Sequence, residues 1–172
     1  MRRKALLLCI TFCLPLIATS LFAETDILGW GKAKWGMTQS QLKKLYEIEK
    51  CTEFEGTLMC ALIERLNIQG HNFKLVFTFD ENSPSGKLIK ISMSSTATTL
   101  DENAFGSVLG LLVRKYGQPD SKKSFSIAKT SLWLKTSGQL EFQTMFDRVS
   151  PNSAFVLCII DYIAVGSDAN KL

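Results

Sequence analysis

The chain contains one histidine, His71, in 172 residues. That scarcity excludes a zinc site built from several imidazoles. A Ser-His-Asp triad would have to use His71, and no Gly-x-Ser-x-Gly elbow accompanies it. His71 lies in Gln69-Gly70-His71-Asn72, a turn signal between strands, where an exposed polar residue needs no catalytic explanation. A glycine-rich phosphate loop is also missing. Asp80-Glu81-Asn82 lacks the spacing of an EF-hand and has Pro84 inside the loop, so it reads as a hairpin turn rather than a Ca²⁺ site. Carboxylates for glycoside hydrolysis pair in space rather than in sequence, and nothing in the chain nominates a pair. The residues therefore point to no catalytic group, no cofactor and no metal.

Excess charge is lacking as well, once the first segment is set aside. Arg2, Arg3 and Lys4 are three of the 20 basic residues, and none of the 16 acids precedes Glu24. Residues 24–172 thus carry 17 basic against 16 acidic groups, a net charge of +1. Such a balance gives no basic surface for nucleic acid.

That first segment reads as an export signal. A basic start is followed by the uncharged apolar run Ala5 to Leu16, then by the small residues Ala18, Thr19, Ser20 and Ala23. Cleavage after Ala23 is the simplest reading, with Leu21 larger than the −3 position prefers. Cleavage after Ser20 would place Ala18 there. The alternative is an uncleaved membrane anchor over residues 5–23, since the run approaches the ~20 residues that span a bilayer. Cys9 follows Leu8 and Cys13 follows Phe12, so neither has the small neighbour that lipidation requires. The expectation is a signal peptide over 1–23 and one domain over 24–172, periplasmic or secreted, with no stable membrane insertion once the signal is removed.

Three cysteines remain after that cut. Cys51 and Cys60 flank the turn-like Phe54-Glu55-Gly56-Thr57 and are the candidate disulfide. A loop of that size stabilises by roughly 2.5 kcal/mol on the chain-entropy model. Cys158 sits in Phe155-Val156-Leu157-Cys158-Ile159-Ile160 and reads as a buried small hydrophobe.

What is present is a pattern of helices and strands. Thr38-x-x-Gln41 is a capping box opening a helix whose apolar side is Leu42, Leu45, Tyr46 and Ile48. Thr57 to Ile68 is a long apolar run. Phe73, Leu75, Phe77 and Phe79 alternate on one strand face, and Ile89, Ile91 and Met93 share a face over Lys87 to Ser94. Thr99-x-x-Glu102 reads as a second capping box. The helix it opens carries Leu100, Ala104, Val108 and Leu112 at four-residue spacing and ends at Gly117 and Pro119. Gly106 and Gly110 are expected to let it approach the sheet closely. Lys129 to Lys135, Gln139 to Phe146 and Ala154 to Ile163 complete the strands, the last apolar on both faces. The expected fold is α+β. It is a roughly six-stranded antiparallel sheet with two helices on one face, a tandem α-β-β-β pseudo-repeat with halves at about 36–97 and 98–165.

Trp35-Gly36-Met37-Thr38 opening one helix, Lys115-Tyr116-Gly117-Gln118-Pro119 ending the other and Trp133 in the next strand resemble a broad group of small exported bacterial envelope proteins. The same helix ends are similar, more distantly, to the modules of SmpA-type outer-membrane assembly lipoproteins and of the β-lactamase-inhibitory proteins. The resemblance implies a protein-binding or envelope-maintenance role and brings no catalytic residues. The chain departs from the lipoprotein group in having no lipidation cysteine.

Trp30 and Trp35, in a glycine-rich segment, are the candidate partner-binding residues, because large aromatics anchor interfaces. Packing under the sheet edge as a lid is the competing reading. Lys74, Thr78, Lys90, Ser92, Glu141 and Gln143 mark the wetter sheet face. The leading functional expectation is a non-enzymatic periplasmic interaction module with an envelope protein as partner. A carrier of a small apolar ligand, held between helices and sheet, is the alternative. A hydrolase using carboxylates on the open sheet face is the third.

Overall fold

The computed structural model describes residues 26–81 and 83–166. The expected signal segment 1–23 lies outside the described residues, as does the tail beyond Gly166. In chain order the elements are β1 (Gly29–Trp30), β2 (Ala33–Lys34), α1 (Gln39–Lys43), β3 (Ile48–Phe54), β4 (Thr57–Leu62), β5 (Leu66–Ile68), β6 (His71–Phe79), β7 (Leu88–Thr98), α2 (Gly106–Tyr116), β8 (Ser121–Ser124), β9 (Ala128–Leu134), β10 (Gly138–Ser150) and β11 (Ser153–Ala164).

The fold is α+β and its pairings are antiparallel, but the main sheet has nine strands rather than six. Their order is β3-β4-β6-β7-β11-β10-β9-β8, with β5 paired to β6. Three strands escape the periodicity. β3 carries Glu49, Lys50 and Glu53, and β8 is Ser121-Lys122-Lys123-Ser124. Both are edge strands, where charge is tolerated and blunts association. The run from Thr57 to Ile68 breaks at Ile63-Glu64-Arg65 into β4 and β5. The expected repeat of one helix and three strands is not seen either. Each half of the main sheet has four strands in line, and α1 has five residues against eleven in α2.

Two hairpin turns follow from local chemistry. Glu55 and Gly56 have φ of 50° and 79°, and Gln69 and Gly70 have φ of 53° and 84°. Positive φ at both central residues matches the twist of the flanking strands, and glycine reaches it without a Cβ clash.

The core lies between the helices and one sheet face. Phe73, Leu75, Phe77 and Phe79 of β6 are all fully buried, each contributing roughly 1.5–3 kcal/mol by burial. Leu42 of α1 and Val108, Leu112 and Tyr116 of α2 pack into the same cluster, so both helices share that face. On β7 the expected trio is corrected by a bulge. Thr78 pairs with Lys90 and Phe79 with Leu88, so Ile89 is the extra residue and Leu88 joins Ile91 and Met93 in the core. β11 is central, between β7 and β10. Ala154, Val156, Cys158, Ile160 and Tyr162 are buried, and the residues alternating with them over 155–161 are partly buried.

Helix α2 carries the chain from β7 to the far edge. Four strand spacings separate β7 from β8, ~19 Å, and eleven helical residues supply ~16 Å of it. The second capping box does not form. The Thr99 hydroxyl accepts from the Asp101 amide at 3.1 Å, and the Asp101 carboxylate accepts from the Asn103 amide at 2.9 Å. These local bonds hold a turn in place of a helical start. The helix therefore begins at Gly106, leaving Leu100 half-exposed. Gly106 faces open space and Gly110 only the Arg114 guanidinium at 3.6 Å, so neither permits the close approach to the sheet that its spacing suggests.

Candidate functional site

The segment before α1 is fixed at three points. The Asp26 carboxylate accepts from the Ser137 amide at 2.8 Å and the Ser137 hydroxyl at 2.7 Å. Those bonds hold its titration below the usual aspartate range. The Trp35 indole N–H donates to the Ile27 carbonyl at 2.7 Å, and the Tyr46 hydroxyl accepts from the Lys32 amide at 2.8 Å. Gly138 is required beneath this segment, because a Cβ there would collide with the Ile27 carbonyl. Lys87 bridges Thr38, and the Leu88 amide donates to the Met37 carbonyl at 2.8 Å, so the Trp35-Gly36-Met37-Thr38 stretch lies along the start of β7.

The two tryptophans part company there. Both are half-buried and packed against the core, and the Trp35 N–H is the one bonded to Ile27. Trp30 rides on the two-residue ribbon β1–β2, 6.4 Å from the Tyr46 ring, and lines a groove.

That groove has a volume of ≈ 380 Å³. Val108, Leu111, Leu112 and Lys115 of α2 form one wall. Ile68 and Gln69, at the β5–β6 turn, and Met93, Ile160 and Tyr162 of the sheet complete the lining. The lining is apolar apart from a few groups at its margin, the ordinary character of small-ligand sites of ~300–1,000 Å³. Leu111 is half-buried and Lys115 is exposed. The sequence marked Trp30 but gave no sign that Leu111 and Lys115 would stand beside it; only their position on the α2 stripe, three and seven residues after Val108, could have suggested it.

The remaining candidates lie elsewhere. Cys51 and Cys60 form a disulfide across β3 and β4, where they are directly opposed. Cys158 is buried, and desolvation pushes its thiol up to about 12, which makes it inert at neutral pH. His71 begins β6 with its ring 4.3 Å from Phe105. Asp80 accepts from the Lys87 amide at 2.7 Å. Glu81 accepts from the Ser83 and Ser85 hydroxyls, which hold it below the usual carboxylate range. Both acids are thus spent on closing a turn; Asn82 lies outside the described residues. Among the described residues no three His, Cys, Asp or Glu side chains gather as a metal site would need.

On the opposite sheet face, Glu141 and Asp161 are register partners, and Asp161 is paired with Lys90 at 2.9 Å. Ser92 and Gln143 share this face, as do the apolar Leu157, Ile159 and Met145. Thr78, read as part of the wet face, is buried.

No protein-family model, curated protein or solved structure matches the chain.

Proposed function

We propose that the protein is an exported, non-enzymatic carrier of a small apolar ligand, bound in the groove between α2 and the sheet with Trp30 as its aromatic wall. The observation that carries this reading is the ≈ 380 Å³ apolar groove bordered by a tryptophan whose ribbon is already pinned in place. Preorganisation of that kind lowers the ordering entropy lost on binding. Export is supported by the Cys51–Cys60 disulfide, a bond that persists in oxidising compartments. Among the described residues no helix is long and apolar enough to cross a membrane. The mass of the protein recovered from its native compartment should fit loss of residues 1–23 or 1–20; a full-length mass would contradict cleavage.

The test is binding of N-phenyl-1-naphthylamine, a dye that brightens in apolar sites. The native protein should enhance its emission, and Trp30→Ala should weaken binding roughly tenfold. Ile159→Lys, on the far sheet face, should leave it unchanged. The reverse pattern would move the site to the open face and overturn the reading.

A second reading is a partner-protein surface. It is favoured by Phe125 and Ile127, each 63% exposed, and Val149, 68% exposed, at the strand ends around the β8–β9 turn and the end of β10. In-cell crosslinking should then capture an envelope protein in a manner abolished by Ile127→Lys and untouched by Trp30→Ala.

A further inference from the structure

We infer that two copies of this chain pack face to face through the sheet face that carries no helix. The inference is independent of the groove, which lies on the helix side of the sheet. On the helix-free face β11 presents Leu157 and Ile159, and β10 presents Met145 beside Leu157, each partly exposed. The strand on the other side of β11 presents small residues there. Ser92, Ser94 and Thr96 of β7 are the register partners of Asp161, Ile159 and Leu157. An apolar ridge thus runs beside a shallow strip of hydroxyls. A twofold axis in the contact plane, along the boundary of β7 and β11, sets the ridge of each copy over the strip of the other. Such a contact uses one patch twice and closes at a dimer.

Charge selects the same axis. The order across the sheet is β6-β7-β11-β10, so this axis lays β6 of one copy over β10 of the other. β6 carries Lys74, which is exposed, and β10 carries Glu141, which is partly exposed. Among the described residues neither side chain has an ion-pair or hydrogen-bond partner. Lys90 and Asp161 are already paired with each other at 2.9 Å and take no part. Lys74 stands in the row Lys74–Ser94–Ile159–Gln143, and Glu141 is two residues from Gln143 on β10. The facing Lys74 and Glu141 are therefore offset by ~7 Å along the strands, which a lysine side chain spans. The twofold makes the pair twice. An axis across the strands would lay Lys74 over β6 and Glu141 over β10, like charge over like.

The area suffices as well. The five strands from β6 to β9 span ~24 Å, and the ladder between β7 and β11 spans ~30 Å. That is a flat area of ~700 Å² per copy, close to the ~800 Å² per partner of a standard interface. Two twisted sheets pack in this way with their strands nearly aligned.

The test is sedimentation velocity of the native protein and of four variants over a range of concentrations, with circular dichroism to confirm that each folds. The native protein should be a dimer in the micromolar range, and Ile159→Lys should be a monomer. Lys74→Glu and Glu141→Lys should each weaken dimerisation about tenfold, because each reverses two exposed pairs. The double variant Lys74→Glu/Glu141→Lys restores both pairs with their signs exchanged and should dimerise as the native protein does. A native protein that is monomeric at every concentration would overturn the inference, as would a dimer that survives Ile159→Lys. A double variant weaker than either single one would overturn the twofold arrangement. A complex with a different protein, broken by Ile159→Lys, would overturn the second copy in favour of that partner.

Discussion

Single side chains do structural work here that their sequence neighbourhood does not announce. Trp133 is fully buried, and its N–H reaches the carbonyl of Gly117, tying β9 to the end of α2. Trp133→Phe removes that donor and leaves a void, so it should destabilise by roughly 1–3 kcal/mol in urea unfolding. Asp26 is a different case, because its bond is charge-dependent. Its titration lies below the ordinary 3.8, since the charged form is held by Ser137. Its contribution is therefore complete above the ordinary value and is lost as pH falls through the lower folded one. Acidification from the ordinary aspartate value down through the lower folded one should progressively free the segment carrying Trp30 and Trp35, seen as faster proteolysis near residue 28. Asp26→Asn should show that susceptibility already at neutral pH. Of the two tryptophans singled out in the sequence, the glycine-rich context is the same for both. What separates them is a hydrogen bond to Ile27 that no local pattern encodes.

At the scale of elements, the sequence is legible where burial is one-sided and illegible where it is not. β6 is read correctly, because four apolar residues alternate with polar or smaller ones and all four go to the core. β3 and β8 are missed because an edge strand needs no apolar face, so charge and serine erase the period. The start of α2 is misplaced because Thr99 and Asp101 offer their oxygens to a turn instead of a helix. The glycines of that helix are the clearest instance of a pattern without a purpose in packing. Gly110 has a negative φ and room for a methyl group. Gly110→Ala should raise stability by about 1 kcal/mol, a rise of about 3 °C in Tm by calorimetry. The outer hairpin depends on its crosslink. A Cys51→Ala/Cys60→Ala variant should lose about 2.5 kcal/mol and show faster hydrogen exchange in β3 before the rest of the sheet.

The molecule as a whole is one broad antiparallel sheet with both helices on a single face. Its class was legible from turn signals and alternation; its strand number was not, because two edges and a broken run carry no periodic signal. The groove was legible only in kind. A carrier between helices and sheet predicts an apolar cavity, but its walls come from β1, the β5–β6 turn, β7, β11 and α2, which meet only in space. The opposite face offers the competing apolar surface, with Leu157, Ile159 and Met145 between the Glu141–Asp161–Lys90 cluster and the strand ends. The most direct test of the account therefore asks which face the ligand touches. Methyl-labelled protein titrated with N-phenyl-1-naphthylamine, followed by NMR, distinguishes them. The account predicts shifts and ligand contacts at Met93, Val108, Leu111 and Ile160. Shifts confined to Leu157, Ile159 and Met145, or none at any methyl, would contradict it.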